Sequence, residues 1–273
     1  QRELATTLGL NEQQMGIWAN LDDRQHILEQ VMAQGEASGY ETEFIRGDGE
    51  RLLCRLAARR FPAGDDELLV MVQEDITEQR QAEHSLRDLN QRLAQQVCLA
   101  EAISRAQSKF IVNTDIGQVF GTLLSDLLKL TSSEYGFIGE VFYKPDGKPY
   151  LKTSALTNIA WDDATRSFFD DNSPTGLEFH NLDTLLGSTM TSGETVIANT
   201  PANDPRSGGL PPGHPAMNAF LGVPIHAGGQ LVAMAGLANR PGGYDQQLAD
   251  WLHPLMSTTG QIVAARRIET ARQ

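Results

Sequence analysis

The sequence contains little cysteine. Only Cys54 and Cys98 occur among 273 residues, and residues 109–273 contain none. Two cysteines so far apart form neither the paired spacing of a zinc site nor a disulfide framework, and they fit a reducing, cytoplasmic environment. The six histidines are scattered. A small hydrolase or reductase would need a nucleophile–base pair or a metal cluster. We therefore predict no metal site and no catalytic residue.

The chain also lacks long apolar runs and an excess of positive charge. It has no run of about 18 apolar residues, so direct membrane insertion is not expected. Lys and Arg number 22 against 35 Asp and Glu, a net charge of −13, and the acidic excess is spread over both halves. Without a basic patch, nucleic acid is not an expected partner.

The N-terminus lacks an initiator methionine. The first residues, Gln1-Arg2-Glu3-Leu4, show no signal-peptide pattern either, so we expect an excised piece of a longer protein. The composition is that of a globular protein, with 40% hydrophobic and 21% charged residues in a chain long enough for two domains. We predict a first domain over 1–76, a connecting helix over 77–108, a second domain over 109–268 and the start of an output linker at 269–273.

The first segment has the pattern of two helices followed by a three-stranded antiparallel meander. Helices are predicted at 5–14 and 22–37, and strands at 40–45, 51–58 and 68–74. Gly47-Asp48-Gly49, between the first two strands, is a hairpin signal. Three strands alone leave one sheet edge and one apolar face uncovered.

The joint between the third strand and the connecting helix is the most informative feature. The strand leads into Asp75-Ile76-Thr77, and a long helical pattern follows with no Gly or Pro. The Thr77 hydroxyl is predicted to cap the start of this helix. Such a joint suits the passage of a conformational change between domains, so we assign Asp75 and Thr77 to signal transmission.

Three stretches of the first segment resemble the C-terminal two-thirds of a PAS sensor domain: 18–24 (WANLDDR), 41–50 (ETEFIRGDGE) and 72–80 (VQEDITEQR). The resemblance implies a PAS fold truncated at its N-terminus. His26 lies where haem-binding PAS domains place their iron ligand, and the alternative is a surface residue of a helix. No Asn-Cys-Arg-Phe-like stretch occurs, so no flavin adduct is expected.

The connecting helix carries a seven-residue repeat of apolar or small residues. Its members are Ala82, Leu86, Leu89, Leu93, Ala100, Ile103 and Phe110. This pattern, with polar interruptions, indicates a parallel two-chain coiled coil of about four heptads and hence a homodimer. The alternative is an amphipathic helix packed on its own domain. In the coiled-coil interpretation, Leu86, Leu89 and Leu93 transmit a signal by a small rotation or register shift.

The second segment alternates helices and strands in an α+β order. The predicted helices lie at 112–130, 161–171, 183–192 and 244–267. The predicted strands lie at 135–143, 150–156, 194–198, 220–226 and 230–239. The expected packing is an antiparallel sheet of five or six strands flanked by helices.

Four motifs in this segment resemble strands of GAF domains in bacterial signalling proteins. They are 135–140 (YGFIGE), 193–199 (GETVIAN), 221–225 (LGVPI) and 236–240 (GLANR). The resemblance implies a GAF fold over 109–268 that binds a small molecule or dimerises. Bilin-binding and methionine sulfoxide reductase members need cysteines that this segment lacks, so no bilin adduct is expected and the cofactor stays unassigned.

A long loop rich in Pro and Gly, residues 199–215, is the best candidate for ligand contact, because long ordered loops are often binding elements. Arg206 can clamp a carboxylate or phosphate, and His214 can donate a hydrogen bond. The alternative is a lid in which Asp204 and Arg206 satisfy loop amides. Aromatic residues at helical spacing usually pack in a core, which is the alternative for Trp161 and Phe168. The candidate pocket residues are Phe137, Trp161, Phe168, Asn199, Asp204, Arg206, His214 and Asn239.

These patterns predict a cytoplasmic sensory module that binds a small molecule or dimerises. Its signal is expected to pass through helical linkers to an output domain outside this sequence, a histidine kinase or a cyclic-di-GMP enzyme. No motif of those enzymes occurs here, so the piece itself is predicted to be non-enzymatic. Two alternatives stay open: a purely structural dimerisation module without a ligand, and a haem sensor that uses His26.

Overall fold

The computed structural model describes residues 16–64, 66–112, 116–157, 176–210 and 214–272. The chain divides into two units, Gln1–Leu93 and Ala94–Gln273. The helices predicted at 5–14 and 161–171 lie outside the described residues, and so do two candidate pocket residues, Trp161 and Phe168.

The first unit contains a helix and a three-stranded antiparallel sheet. Helix α1 spans Leu21–Gln34, and strands β1, β2 and β3 span Glu36–Ile45, Arg51–Ala63 and Asp66–Asp75 in the order β1-β2-β3. Asn20 caps α1 by accepting a hydrogen bond from the Asp22 amide. The predicted meander is confirmed, with β1 longer than expected at its start, β2 at its end and β3 at both ends.

One face of this sheet carries the small core of the first unit. The core is built from Trp18 and from residues of α1, β1 and β2. Its buried members are Trp18, Ile27, Val31, Ala37, Phe44, Cys54, Leu56 and Ala58. The outer strand β3 instead exposes Leu68, Val70 and Val72, as expected for a sheet with an uncovered edge.

The Asp75-Ile76-Thr77 joint ties the start of helix α2, Thr77–Val112, to strand β2. The Thr77 hydroxyl accepts a hydrogen bond from the Leu53 amide at 2.8 Å, and the Ile76 amide donates to the Leu53 carbonyl at 2.9 Å. The expected helix cap by Thr77 is therefore wrong, because the backbone of β2 needs partners where the sheet ends. The Asp75 carboxylate accepts the Thr77 amide hydrogen instead, at 3.0 Å.

Helix α2 presents different apolar faces along its length. Leu86, Leu89 and Leu93 are 58%, 62% and 59% exposed, so these side chains are not buried against the part of the chain that the structure describes. From residue 99 onward the buried residues Leu99, Ala102 and Ala106 join the core of the second unit. Ile103 and Phe110, predicted for the two-chain seam, also pack against that core. The predicted four-heptad seam is therefore wrong at Ile103 and Phe110.

The second unit contains a six-stranded antiparallel sheet in the order β6-β5-β4-β9-β8-β7. The strands are β4 Tyr135–Tyr143, β5 Pro149–Leu156, β6 Glu178–Phe179, β7 Val196–Ala198, β8 Phe220–Ala227 and β9 Gln230–Ala238. The helices are α3 Ile116–Thr131, α4 Leu185–Ser192 and α5 Gln246–Arg272, with a 3₁₀ turn at Pro201–Asn203. The predicted α+β class, with a three-stranded sheet, a long helix and a larger antiparallel sheet, is confirmed.

The two faces of the larger sheet carry different structures. One face packs on α3, α5 and the C-terminal part of α2 in a continuous core. That core includes Ala102, Phe120, Leu123, Leu127, Ile138, Leu221, Ile225, Leu237, Leu252, Leu255 and Val263. The other face carries α4 and the loops around it, in smaller apolar clusters. Because side chains alternate along a strand, neighbouring residues serve opposite faces.

Candidate functional site

A cavity of about 470 Å³ lies on the α4 side of the sheet. This volume is within the range of small-molecule sites, about 300–1,000 Å³. Strands β4, β8 and β9 contribute one wall, and the loops around α4 contribute the other. The described lining residues are Tyr135, Gly136, Phe137, Leu156, Leu177, Phe179, Asn181, Thr184, Leu185, Leu186, Ser207, Gly208, Gly209, Leu210, His214, Met217, Phe220, Gly236, Leu237 and Ala238.

Gly236 creates the space that the Phe137 ring occupies. The two residues are cross-strand partners on β9 and β4. A Cβ atom at Gly236 would lie 2.3 Å from Cε1 of Phe137, a distance at which one of the two residues must move. The absence of a side chain at Gly236 therefore allows the Phe137 ring to lie over the backbone of β9.

Two aromatic rings form one wall of the cavity. Phe137 and Phe179 stack with their ring centroids 5.8 Å apart and their planes 25° from parallel. Phe179 reaches this position because the two-residue strand β6 pairs with β5, where Phe179 is the partner of Leu151. Stacked rings of this kind offer an apolar face to a flat ligand.

His214 and Tyr135 meet at another wall, with their ring centroids 5.7 Å apart in an edge-on arrangement. Tyr135 donates its hydroxyl hydrogen to the Ala216 carbonyl at 3.1 Å, and Nδ1 of His214 donates to the Pro215 carbonyl at 2.8 Å. Burial lowers the pKa of His214, although its bond to the Pro215 carbonyl opposes this. Burial also raises the pKa of Tyr135. Both side chains are therefore neutral at pH 7.

The start of α4 supplies the polar rim. Thr184 caps the helix by accepting a hydrogen bond from the Gly187 amide at 2.9 Å. The turn before it is tight, since a Cβ atom at Gly187 would lie 2.1 Å from the Leu182 carbonyl oxygen. This geometry brings Asn181 and Thr184 to the cavity.

Of the predicted pocket residues, Phe137 and His214 line the cavity, whereas Asn199 does not. The Asn199 side chain accepts a hydrogen bond from the Tyr244 amide at 2.8 Å and donates to the Tyr244 carbonyl at 2.9 Å. These two hydrogen bonds fix the position of the segment that leads into α5. Asn199 thus holds backbone in place beside the sheet.

Asn239 has a similar supporting position at the end of β9. Its backbone is left-handed, with φ 60°, a conformation that Asn tolerates better than most residues. Its side chain accepts a hydrogen bond from the Asn218 amide at 2.7 Å and donates to the Ala216 carbonyl at 2.9 Å. These bonds hold the segment that carries Met217 into the cavity wall.

Asp204 and Arg206 pair with each other outside the cavity lining. The guanidinium donates to both carboxylate oxygens of Asp204, at 2.9 Å and 2.7 Å, and also to the Ile197 carbonyl at 3.1 Å. The hydrogen bonds from Arg206 lower the pKa of Asp204 to about 2. This arrangement matches the alternative in which Asp204 and Arg206 satisfy groups of their own loop, because the Asp204 carboxylate already compensates the charge of Arg206.

A second polar cluster, which sequence reasoning missed, lies on the opposite face of β4. The buried carboxylate of Glu140 accepts hydrogen bonds from Arg266 and Arg267 of α5, both at 3.1 Å. Arg267 also donates to the Val141 and Val232 carbonyls, at 2.8 Å and 3.0 Å. Its guanidinium lies 4.9 Å from the Phe142 ring centroid. Strand β4 thus contacts the cavity on one face and the last helix on the other.

Within the described ranges, no group of three or more His, Cys, Asp and Glu side chains is placed to hold a metal ion. His26 is exposed on α1, with its ring 5.5 Å from that of Tyr40. Among the same residues, the helices are too short or too polar to cross a bilayer.

Most of the cavity wall carried no recognisable sequence signal. Leu177, Leu185 and Met217 are apolar residues in irregular or short elements, where periodicity gives no guide. Thr184 did carry a signal: a helix-capping residue directly precedes an apolar helical run there. That signal places the start of α4, but not the cavity beside it.

A family profile for the GAF domain matches residues 113–264, more than half of the chain. The match contains every strand of the six-stranded sheet and all of the described cavity residues. It therefore extends over the part of the second unit in which the candidate site lies.

The chain is also similar to a methyl sulfide methyltransferase-associated sensor from Methanosarcina acetivorans, with 24% identity over 255 residues. The similarity covers 93% of this chain but only 23% of that protein, so the chain spans about a quarter of the relative's length. Among solved structures, the GAF domain of a phosphoenolpyruvate-protein phosphotransferase from Coxiella burnetii superimposes with a TM-score of 0.51 at 13% identity. It covers 64% of this chain and 98% of that structure, and it supports the fold alone.

Proposed function

Because the chain belongs to the GAF domain family, we propose that its second unit is a non-catalytic sensory module that binds a small molecule in the cavity between Phe137 and His214. The single observation that carries this proposal is the cavity itself. It is lined by aromatic and aliphatic side chains with a few polar groups, the arrangement typical of small-molecule sites.

The similarity to a sensor supports a signalling role. That relative is about four times longer than the aligned part, and a sensory module needs an output domain. For this chain we propose an output of the kind expected from the sequence, a histidine kinase or a cyclic-di-GMP enzyme, reached through the helices at the ends of the second unit. A cytoplasmic site of action belongs to the same proposal.

Strand β4 offers a physical route from the cavity to the exit helix. Phe137 contacts the cavity, and Glu140, three residues later, holds Arg266 and Arg267 of α5. A ligand that shifts β4 by a fraction of an ångström changes the geometry of these ion pairs. Such contacts between rigid elements are a common means by which a local event moves a helix.

For the first unit we propose a truncated PAS fold, supported by its α1–β1–β2–β3 order and by the Asp75-Ile76-Thr77 joint. The hydrogen bonds between Thr77 and Leu53 connect the sheet directly to α2. A change in the sheet would therefore act on the first turn of the helix. This is the transmission role expected for Asp75 and Thr77.

A parallel homodimer is the second candidate function, either alongside ligand binding or as a purely structural role. The exposed side chains of Leu86, Leu89 and Leu93 lie within one stripe of α2. An exposed apolar stripe at this spacing favours pairing with a second helix. Val97, 48% exposed, extends the stripe by one turn. The proposed seam is thus about half as long as the sequence pattern predicts.

A thermal-shift screen against a library of metabolites tests ligand binding. We expect a small number of compounds to raise the unfolding temperature of the wild-type chain, because ligands stabilise the folded state that binds them. Met217→Trp fills the cavity and should abolish the shift, whereas Met32→Trp, at an exposed site, should retain it. Shifts that are equal in both variants would place binding elsewhere and contradict the proposal.

A further inference from the structure

The described part of the cavity wall is apolar and carries no net charge. None of its described lining residues is Asp, Glu, Lys or Arg. The polar side chains are those of Asn181, Thr184, Ser207 and His214, together with the Tyr135 hydroxyl. An ionised group moved into such a site loses its hydration and gains no counter-charge in return, which is strongly unfavourable.

The charged residues of the neighbouring loop do not compensate for this. Arg206 is 41% exposed and bound by both oxygens of Asp204, whose side chain is 13% exposed. To serve an anionic ligand, Arg206 would have to leave Asp204 and move into the cavity. The resident ion pair therefore disfavours phosphate and carboxylate ligands.

Aromatic rings favour a flat ligand. The stacked pair of Phe137 and Phe179 forms one wall, and the edge-on pair of Tyr135 and His214 forms another. Phe220 also lines the space. Aromatic side chains bind planar groups through offset stacking and edge contacts, which add about 0.5–1.5 kcal/mol to the burial of area.

The polar rim has few hydrogen-bonding groups to offer. The Thr184 hydroxyl accepts from the Gly187 amide and donates to the Asn181 carbonyl at 3.3 Å. The Asn181 carboxamide oxygen accepts from the Asp183 amide at 3.0 Å, which leaves its NH₂ group to donate. Among the residues that the structure describes, none forms a hydrogen bond with the Ser207 hydroxyl. One or two polar atoms of a ligand can be satisfied here.

We propose that the cavity takes an uncharged, largely apolar ligand with a flat aromatic ring system and one or two polar atoms directed at Asn181 and Ser207. This inference rests on the proposed function and specifies the class of molecule that the same site recognises. The class differs from nucleotides and from organic acids in its charge.

Two fluorescent probes that share one skeleton test the charge claim. N-phenyl-1-naphthylamine is neutral, and 8-anilino-1-naphthalenesulfonate adds a sulfonate to the same rings. We expect the neutral probe to bind the full chain at least about tenfold more tightly, a difference of about 1.4 kcal/mol. Met217→Trp and Phe179→Ala should each weaken its binding, while the matched control Met32→Trp should not. Circular dichroism establishes that each variant is folded.

The outcomes separate the two proposals. If the anionic probe binds as tightly as the neutral one and both respond to Met217→Trp, the ligand class is wrong while a binding cavity stands. If neither probe binds, or if probe binding is unchanged by Met217→Trp and Phe179→Ala, the proposed ligand class is overturned, and the thermal-shift screen decides separately whether the cavity binds another kind of molecule. Using two cavity variants keeps the test valid if one of them fails to fold.

Discussion

Nε of Arg267, on the last helix, lies 3.1 Å from a carboxylate oxygen of Glu140, in the middle of strand β4. Glu140 is only 8% exposed, and Arg266 binds its other oxygen. The cluster fixes α5 to the strand that also carries Phe137 into the cavity. Removal of one partner from such a cluster lowers the free energy of unfolding, because the charges that remain are left without compensation.

Glu140→Gln should therefore destabilise the second unit. We expect a loss of about 1.5–3 kcal/mol in the free energy of unfolding, the usual range for hydrogen bonds to charged groups. Urea unfolding measures the loss. Glu269→Gln, an exposed carboxylate on the same helix, is the matched control and should change stability by less than about 0.5 kcal/mol. Equal effects of the two substitutions would contradict the role given to Glu140.

His214 should make stability depend on pH. Burial holds its pKa in the folded state below the ordinary value, so between the two pKa values the unfolded chain binds more protons. His214 therefore does not reduce the free energy of unfolding above about pH 6.5. The free energy of unfolding falls as the pH drops below that value, and it levels off below the pKa of His214 in the folded state. We expect wild type to lose more stability than His214→Gln between pH 7.5 and pH 5.5 in urea unfolding. Parallel pH profiles for the two proteins would refute the assignment.

The pair Asp204–Arg206 should organise the loop without binding the ligand directly. Because hydrogen bonds from Arg206 lower the pKa of Asp204 to about 2, its stabilising effect is present above about pH 4 and is lost as the pH falls through about 2. Arg206→Ala should speed hydrogen exchange in residues 204–210 while changing the affinity for N-phenyl-1-naphthylamine by less than about threefold, or about 0.7 kcal/mol. A much larger loss of affinity would restore Arg206 as a ligand contact.

The exposed leucines of α2 should control the oligomeric state. Leu89→Glu combined with Leu93→Glu places charges in the proposed seam, so we expect the dimer mass in native mass spectrometry to be replaced by a single-chain mass. Gln91→Glu combined with Gln95→Glu adds the same charge on another face of the helix and should preserve the dimer. A wild-type chain that is monomeric at micromolar concentration would refute the seam.

Strand and helix periodicity predicted the architecture well. The alternation of 135–143 and the hairpin joined by Gly228-Gly229 appear as β4, β8 and β9 almost at their predicted bounds. Strand β6 was missed because two residues carry no periodicity. Its partner on β5 is distant in sequence, so tertiary pairing alone defines it.

The candidate site was predictable only in part. Phe137 and His214 line the cavity, whereas Asn199, Asn239 and Arg206 are polar residues that satisfy nearby backbone or an ion pair. A polar residue in a loop has the same sequence signature in both roles, and only its partners distinguish them. The Glu140 cluster was invisible for a similar reason, since it joins residues 126 and 127 positions apart.

Hydrogen exchange of the second unit, with and without the compound that stabilises it most in the thermal-shift screen, tests the central claim most directly. We expect slower exchange in β4 and α4, which flank the cavity, and also in residues 260–272 of α5, which contact β4 through Glu140. Met217→Trp should abolish the slower exchange in all three regions. Glu140→Gln should abolish it in α5 but leave it in β4 and α4. Protection that is absent from both β4 and α4, or that persists in Met217→Trp, would contradict a sensory cavity in this domain.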